Sequence, residues 1–228
     1  GPAIAVQYEQ AVDYSDTNHI GGVWMAGESD VTVVVIGLTP ALEGEDGDAF
    51  LAPNNGDKIS LNIPAAHIKL LQLLKKNGKP VIVVITGGGA VNIDEIEPYA
   101  DAILFAWYAG EQGGTALADI LFGNISPSGR LPVTFYHSLS DLPAYDNYSM
   151  AGRTYRYFNG KVKYPFGYGL SYTRFLYQWV QKPYIINAEK DSLYFSVIIN
   201  NTGNMDADEV VQVYIGYPNI ERMPVKEL

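Results

Sequence analysis

Three continuous apolar runs constrain the fold of this chain more than any other feature. They are Val31 to Gly37, Val81 to Thr86 and Ala102 to Trp107. Each has the length of a strand, and none alternates apolar with polar residues. Runs of this kind are typical of parallel strands that are buried on both faces of a sheet.

Helical patterns separate these runs. Residues 64–76 place Ile68, Leu71 and Leu74 at helical spacing and end at Asn77-Gly78, while residues 113–122 form a shorter apolar helix closed by Gly123. The order strand, helix, strand, helix predicts an α/β fold in which a mostly parallel sheet carries helices on both faces. Ligands bind at the carboxyl ends of the strands in such sheets, so we expect the chemistry in the loops that follow the three runs.

The pattern changes after residue 137. Residues 138–170 are rich in Tyr, Gly and Pro and predict a long connecting segment between an α/β domain of residues 1–137 and a second domain of residues 171–228. Residues 193–199 and 209–215 predict antiparallel strands joined by a turn at 200–204. A β-sandwich needs about seven strands, so we expect the sequence to stop inside this domain, and its first residues resemble a strand already in progress.

Composition excludes several functions. The net charge is −10 and no cluster of Lys and Arg offsets it, so we expect no nucleic-acid partner. No apolar stretch approaches the roughly 20 residues of a membrane helix, so we expect no membrane partner. The chain has no cysteine, which excludes disulfides, thiolate metal sites and a cysteine nucleophile.

An acidic loop, Leu42 to Asp48, directly follows the first apolar run and holds Glu43, Glu45, Asp46 and Asp48. Crowding of like charges raises the pKa of some carboxyl groups, which can keep one protonated as a general acid. A solvated acidic loop and a Ca²⁺ loop are the alternatives. The spacing of Asp46, Asp48 and Asn54 does not follow the calcium-hand pattern.

Two more loops follow the other apolar runs. Gly87-Gly88-Gly89 invites a nucleotide-binding interpretation, but it lacks the remaining residues of both phosphate-binding fingerprints, which favours a tight strand-to-helix turn. The loop from Trp107 to Gly114 combines aromatic with polar groups, as sugar sites do, although Trp107 and Tyr108 fit equally well as core residues at a strand end. His19, His67 and His137 show no ligand spacing, so we expect no metal site, and His67 fits a surface or packing residue on the first turn of a helix.

Four segments, taken together and in order, resemble glycoside hydrolase family 3, in particular its β-glucosidases and β-xylosidases. They are Gly37-Leu38-Thr39-Pro40-Ala41-Leu42-Glu43-Gly44-Glu45, Ala106-Trp107-Tyr108-Ala109-Gly110-Glu111-Gln112-Gly113-Gly114, Pro127-Ser128-Gly129-Arg130-Leu131-Pro132-Val133-Thr134-Phe135, and residues 152–158 continuing to residues 164–173. They cover nearly the whole chain.

The resemblance implies an enzyme with an amino-terminal (β/α)₈ barrel, an α/β sandwich domain and a fibronectin type III-like domain, of which this chain supplies the last two incompletely. It implies a retaining, exo-acting β-glycosidase without a cofactor, in which a barrel Asp outside this chain is the nucleophile. By the family's Glu-x-Glu pattern, Glu45 is the first choice for the acid/base and Glu43 the second. The implied partners are a β-linked oligosaccharide, the barrel and a homodimer, and the implied location is extracellular or periplasmic.

The chain departs from the family pattern at two places. Gly56-Asp57-Lys58 stands where a Gly-Asp-Arg is common, and His67 stands where a Gln follows a Leu-Pro. Lys58 loses the bidentate geometry of Arg but keeps a charge that can steady the acidic loop. We expect Asp46, Lys58 and Trp107 to contact the substrate. A non-catalytic carbohydrate-binding or structural module of the same fold is the alternative to an enzyme.

Overall fold

The structure, a computed structural model, describes residues 4–228 apart from residues 15, 17, 46, 54, 55, 57, 185–191, 218 and 219. The helices are α1 (Val23–Glu28), α2 (Pro40–Glu43), α3 (Ala65–Lys76), α4 (Gly113–Leu121) and α5 (Thr154–Tyr157), with single 3₁₀ turns at Ile93–Glu95, Glu97–Tyr99 and Leu139–Asp141. The strands are β1 (Thr32–Gly37), β2 (Val81–Thr86), β3 (Ala102–Phe105), β4 (Phe175–Gln181), β5 (Ser196–Asn201), β6 (Ile215–Gly216) and β7 (Lys226–Glu227).

The first three strands form a parallel sheet in the order β1-β2-β3. Val34 pairs with Val83 and Ile36 with Ile85, and Val83 in turn pairs with Ile103. Because the strands are parallel and in this register, the chain leaves all three at the same edge of the sheet. The parallel sheet predicted from the apolar runs is therefore confirmed.

One face of the sheet carries the hydrophobic core. Ala26 of α1 and Leu70, Leu71 and Leu74 of α3 join the inward side chains of β1 and β2 in one buried cluster, and partly buried side chains of β3 pack against it. The helical spacing of the α3 leucines places them on one side of the helix, and burying each such side chain contributes about 1.5–3 kcal/mol. The amide of Asn77, which follows α3, donates to the carbonyl of Val23 at 2.8 Å and holds α1 against it.

The opposite face is only partly covered along β1. Val33 and Val35 are 43% and 62% exposed, and α4 has no buried residue. Of the three strands, only β2 is buried along most of its length, because it is central and has a neighbour on each side. The prediction of helices on both faces is thus wrong for β1 in the described part of the chain.

The connecting segment returns to the α/β part. Leu131 N–H donates to the carbonyl of Tyr168 at 2.8 Å, and Phe135 forms an antiparallel bridge with Tyr164. Lys163 contacts Asp94 at 2.8 Å and Glu97 at 2.5 Å, so it ties the segment to the 3₁₀ turns after β2. These two carboxylates raise the pKa of Lys163, which keeps it charged in all ordinary conditions.

The remaining strands form two small antiparallel pairs, β4 with β5 and β6 with β7. Residues 209–215 were expected to pair across a turn with residues 193–199, but β5 pairs instead with residues 175–181, and of residues 209–215 only Ile215 lies in a strand. Apolar alternation identifies a strand-forming segment but does not choose its partner. The fibronectin type III-like domain stays a prediction. In the part of the chain that the structure describes, no helix is long and apolar enough to cross a membrane.

Candidate active site

The carboxyl edge of the sheet brings together the three loops that the sequence singled out. The acidic loop follows β1, the glycine turn Gly87-Gly88-Gly89 follows β2, and Trp107 and Tyr108 follow β3. The chain turns sharply at Gly37, where φ is +135°. A Cβ at Gly37 would lie 2.0 Å from the carbonyl oxygen of Thr86, so only glycine fits.

Helix α2 presents Glu43. Its N-cap is Thr39, whose hydroxyl accepts a hydrogen bond from the N–H of Ala41 at 3.0 Å, and Pro40 occupies the first helical position. Thr at the N-cap followed by Pro is a strong helix start. Glu43 is the last residue of this short helix, so the helix fixes the position of its backbone.

The carboxylate of Glu43 is held by three partners from separate parts of the chain. Oε2 accepts hydrogen bonds from the N–H of Gly88 at 2.7 Å and from the hydroxyl of Tyr108 at 2.5 Å. Oε1 lies 3.0 Å from the ammonium of Lys58. The Glu43 side chain is only 11% exposed. Both oxygens are therefore engaged within the protein.

These contacts determine the ionisation of Glu43. Burial alone would raise the pKa of this carboxyl, but the hydrogen bonds from Tyr108, Gly88 and Lys58 and the charge of Lys58 outweigh burial, so the pKa lies below its usual value. The expectation that crowded carboxylates would raise the pKa is wrong for Glu43, because its nearest charged partner is a cation. Burial and the neighbouring Glu43 raise the pKa of Tyr108, which stays a hydroxyl donor.

Glu45 lies differently. Its side chain is exposed, and its backbone carbonyl accepts hydrogen bonds from the N–H groups of Asp48 and Ala49 at 2.9 and 3.2 Å. Ala49 is fully buried and anchors this turn. The turn thus holds the backbone of Glu45 in place, and the Glu45 side chain is exposed.

Lys58 and Asp46 were both expected to contact the substrate. Lys58 contacts Glu43 and also donates to the carbonyl of Ala90 at 3.2 Å, so it steadies the acidic loop as its charge led us to expect. Asp46 lies outside the described residues. Substrate contact by either residue stays a prediction.

Trp107 has an unusual backbone, with φ at +56°, a conformation that is strained for a bulky residue. Its indole packs on Phe105 with ring centroids 4.4 Å apart, as the core alternative describes. The left-handed turn redirects the chain, and the next residue, Tyr108, reaches Glu43 while remaining 46% exposed. A substrate contact by Trp107 stays a prediction.

The glycine turn binds the carboxylate of Glu43. Gly88 donates its N–H to Glu43, and a Cβ at Gly88 would lie 3.2 Å from a ring carbon of Tyr108 and 3.4 Å from Glu43 Oε2. A side chain there would crowd both partners. The N–H that a nucleotide phosphate would need is already bonded, which argues against the nucleotide-binding interpretation.

His67 is a residue whose role the sequence did not reveal. It is 4% exposed, and its Nδ1 accepts a hydrogen bond from the N–H of Gly37 at 3.3 Å, which requires the neutral imidazole. The ring of Tyr14 packs edge-on at 5.2 Å between centroids. Burial lowers the pKa of His67 to about 4. The sequence held one signal for this role. His67 stands where the family pattern has a Gln after a Leu-Pro, and a Gln side chain can accept the same hydrogen bond from Gly37. Among the described residues, no group of three His, Asp or Glu side chains could hold a metal ion.

Comparison with known protein families shows the family to which the chain belongs. Residues 16–172 match the glycosyl hydrolase family 3 C-terminal domain. The chain belongs to glycosyl hydrolase family 3. The match covers the α/β part and the connecting segment and confirms the resemblance drawn from the four ordered segments.

Relatives within family 3 extend the match to nearly the whole chain. A xylan 1,4-β-xylosidase of Xylanibacter ruminicola is 38% identical over 99% of this chain, and a periplasmic β-glucosidase of Salmonella typhimurium is 34% identical over 85%. The Kluyveromyces marxianus β-glucosidase in complex with glucose covers 90% of the chain with a TM-score of 0.72 and 31% identity. A family 3 β-glucosidase of Bifidobacterium adolescentis also covers 90%, with a TM-score of 0.73 and 30% identity. The chain spans about a quarter of the length of the two enzymes compared by sequence, and 25% and 31% of the two solved chains.

Proposed function

We propose that this chain supplies the acid/base part of a retaining, exo-acting β-glycosidase, a β-glucosidase or β-xylosidase that releases terminal sugars from β-linked oligosaccharides. The names of its relatives support this activity. The nucleophile, an aspartate of an amino-terminal barrel, lies outside this chain in the proposal. The periplasmic β-glucosidase among the relatives supports an extracellular or periplasmic location.

We assign the acid/base role to Glu45, and the observation that carries the assignment is the engagement of Glu43. A group that transfers protons to the leaving oxygen must reach the substrate, and its carboxyl must be able to hold a proton. Glu43 binds Gly88, Tyr108 and Lys58, and its lowered pKa keeps it ionised. Glu45, two residues later, has an exposed side chain on an anchored turn.

The proposed chemistry runs in two steps. In the first, the nucleophile attacks the anomeric carbon while Glu45 gives its proton to the departing glycosidic oxygen. In the second, Glu45 takes a proton from water, whose oxygen attacks the anomeric carbon and releases the nucleophile. Glu45 therefore alternates between acid and base, and the configuration of the sugar is retained.

Glu45→Gln tests the role in the full-length polypeptide that contains this chain. On disaccharides, whose leaving group needs a proton, we expect kcat/KM to fall by about 10²–10⁴-fold. On aryl glycosides with acidic leaving groups, the loss in kcat/KM should be much smaller, because departure needs no proton. Asp48→Asn, which neutralises another exposed carboxylate of the acidic loop, is the matched control and should retain activity on both substrates.

Equal losses on both substrate classes would contradict an acid role for Glu45. Sugar binding without turnover in the unaltered full-length polypeptide would support the alternative of a non-catalytic carbohydrate-binding module. Steady-state kinetics on the two substrate classes and calorimetric titration with a disaccharide distinguish these outcomes.

A further inference from the structure

Glu43 and Lys58 lie at the two ends of the segment that carries Glu45. Their side chains meet at 3.0 Å, so the ion pair joins the two residues that flank this segment. Compact surface loops whose ends lie close together often carry function. Ala49 and Ala52, in the described part of this segment, are buried, with 0% and 8% of their surface exposed.

The same carboxylate also fastens the segment to the sheet. Gly88 follows β2 and Tyr108 follows β3, and both donate to Oε2 of Glu43 across 45 and 65 residues of sequence. Lys58 adds a bond to the carbonyl of Ala90, beyond the glycine turn. Loop ends that were joined only to each other could still move as a unit, but these contacts tie them to the ends of β2 and β3.

Hydrogen bonds to an ionised carboxylate are roughly twice as strong as those between neutral groups. The lowered pKa of Glu43 keeps the carboxylate in the form that accepts from all three partners. The side chain of Lys58 is 25% exposed, so its charge is only partly screened by solvent. Losing any single partner would leave the remaining groups incompletely bonded, which costs more than the bond itself contributes.

We propose that Glu43, Lys58 and Tyr108 are positioning residues that fasten the two flanks of the segment between Glu43 and Lys58 and so hold Glu45 at the carboxyl edge of the sheet. The effect of this positioning on catalysis rests on the proposed acid/base function of Glu45. The closure of the segment can be measured without that assumption. Glu43 in this proposal touches neither substrate nor reacting atoms, and it acts through the backbone that it fixes.

The closure is tested by hydrogen exchange in the full-length polypeptide. Amides of Gly44, Asp48, Ala49 and Leu51 are hydrogen bonded in the closed segment. In Glu43→Gln, Lys58→Met and Tyr108→Phe, we expect peptides covering residues 44–53 to exchange about tenfold faster or more, while peptides of β2 and α3 keep their rates. Glu111→Gln, Lys76→Met and Tyr148→Phe are matched controls at exposed positions and should exchange like the unaltered protein.

Activity gives a second readout. Because positioning affects the segment and not one proton transfer, the three variants should lower kcat/KM on disaccharides and on activated aryl glycosides by similar factors, unlike Glu45→Gln. Lys58→Arg keeps a cation that can reach Glu43, and it should restore most of the protection and the activity that Lys58→Met loses. A merely structural lysine would show no such recovery.

The two proposals fail in different ways. Unchanged exchange of residues 44–53 in all three variants would overturn the positioning role, whatever Glu45→Gln does. If the three variants loosen the segment and Glu45→Gln keeps full activity on disaccharides, the closure is upheld and the acid/base assignment fails. Tyr108→Phe removes only one oxygen atom, so hydrogen exchange can still be measured in this variant if the two charge variants fail to fold.

Discussion

His67 should make the folded chain lose stability as the pH falls. The imidazole is buried, accepts a hydrogen bond from Gly37 and packs against Tyr14, so the folded state holds it neutral. Its pKa in the fold is about 4, against 6.5 for a free imidazole. Between these values the unfolded chain binds a proton that the folded chain does not, so acid favours unfolding.

The size of the effect follows from the two pKa values. Each pH unit between them changes the free energy of unfolding by about 1.4 kcal/mol, so the full window from 6.5 to about 4 corresponds to about 3 kcal/mol. The contribution is complete above pH 6.5 and is lost as the pH falls. Marginal domains have only about 5–15 kcal/mol to lose, so the change should be easily measured.

Urea unfolding followed by tryptophan fluorescence, from about pH 7 to about pH 4.5, measures this dependence. His67→Gln keeps an acceptor for Gly37 but cannot be protonated, so its free energy of unfolding should fall less steeply over this range. The difference between the two proteins should reach about 2 kcal/mol or more at the acidic end. His19→Gln removes an exposed imidazole and is the matched control. Equal slopes for the unaltered protein and His67→Gln would refute the reasoning.

Two further predictions concern the fold that carries the site. Leu71→Ala should lower the free energy of unfolding by about 2–5 kcal/mol, because Leu71 is fully buried in the core beneath the sheet; Gln72→Ala on the exposed side of α3 is the control, and urea unfolding is the measurement. Gly37→Ala should abolish folding, because its Cβ would meet the carbonyl oxygen of Thr86 at 2.0 Å. Gly129→Ala enters open space and should fold normally, as circular dichroism would show.

Local patterns were sufficient for the parallel sheet and for α3. The three apolar runs became β1, β2 and β3 in their expected places, because continuous apolar runs of strand length favour a parallel sheet. The same runs could not reveal that Val33 and Val35 stay exposed. Exposure depends on which elements lie across from a strand, and continuous apolar sequence carries no information about them.

In the second half of the chain, the sequence did not predict which strands pair with each other. Residues 196–201 pair with a strand that begins at Phe175, and the intervening chain contains residues 185–191, which lie outside the described part. Sequence alternation predicted the strand but assigned it to residues 209–215. Pairing over such distances is decided by the packing of whole sheets, which a local pattern does not contain.

The same distinction separates Glu43 from Glu45. In the sequence they are two glutamates of one acidic loop, and the family pattern ranks them without a physical reason. Their difference comes from Gly88 and Tyr108, which are 45 and 65 residues away from Glu43, and from Lys58 at the far end of the segment. Glu43 is the last residue of α2, while Glu45 lies in the turn after Gly44 and is exposed. Two carboxyl groups that are neighbours in sequence therefore differ in their surroundings, one ionised and held, the other exposed, because the loops after β2 and β3 supply donors to Glu43.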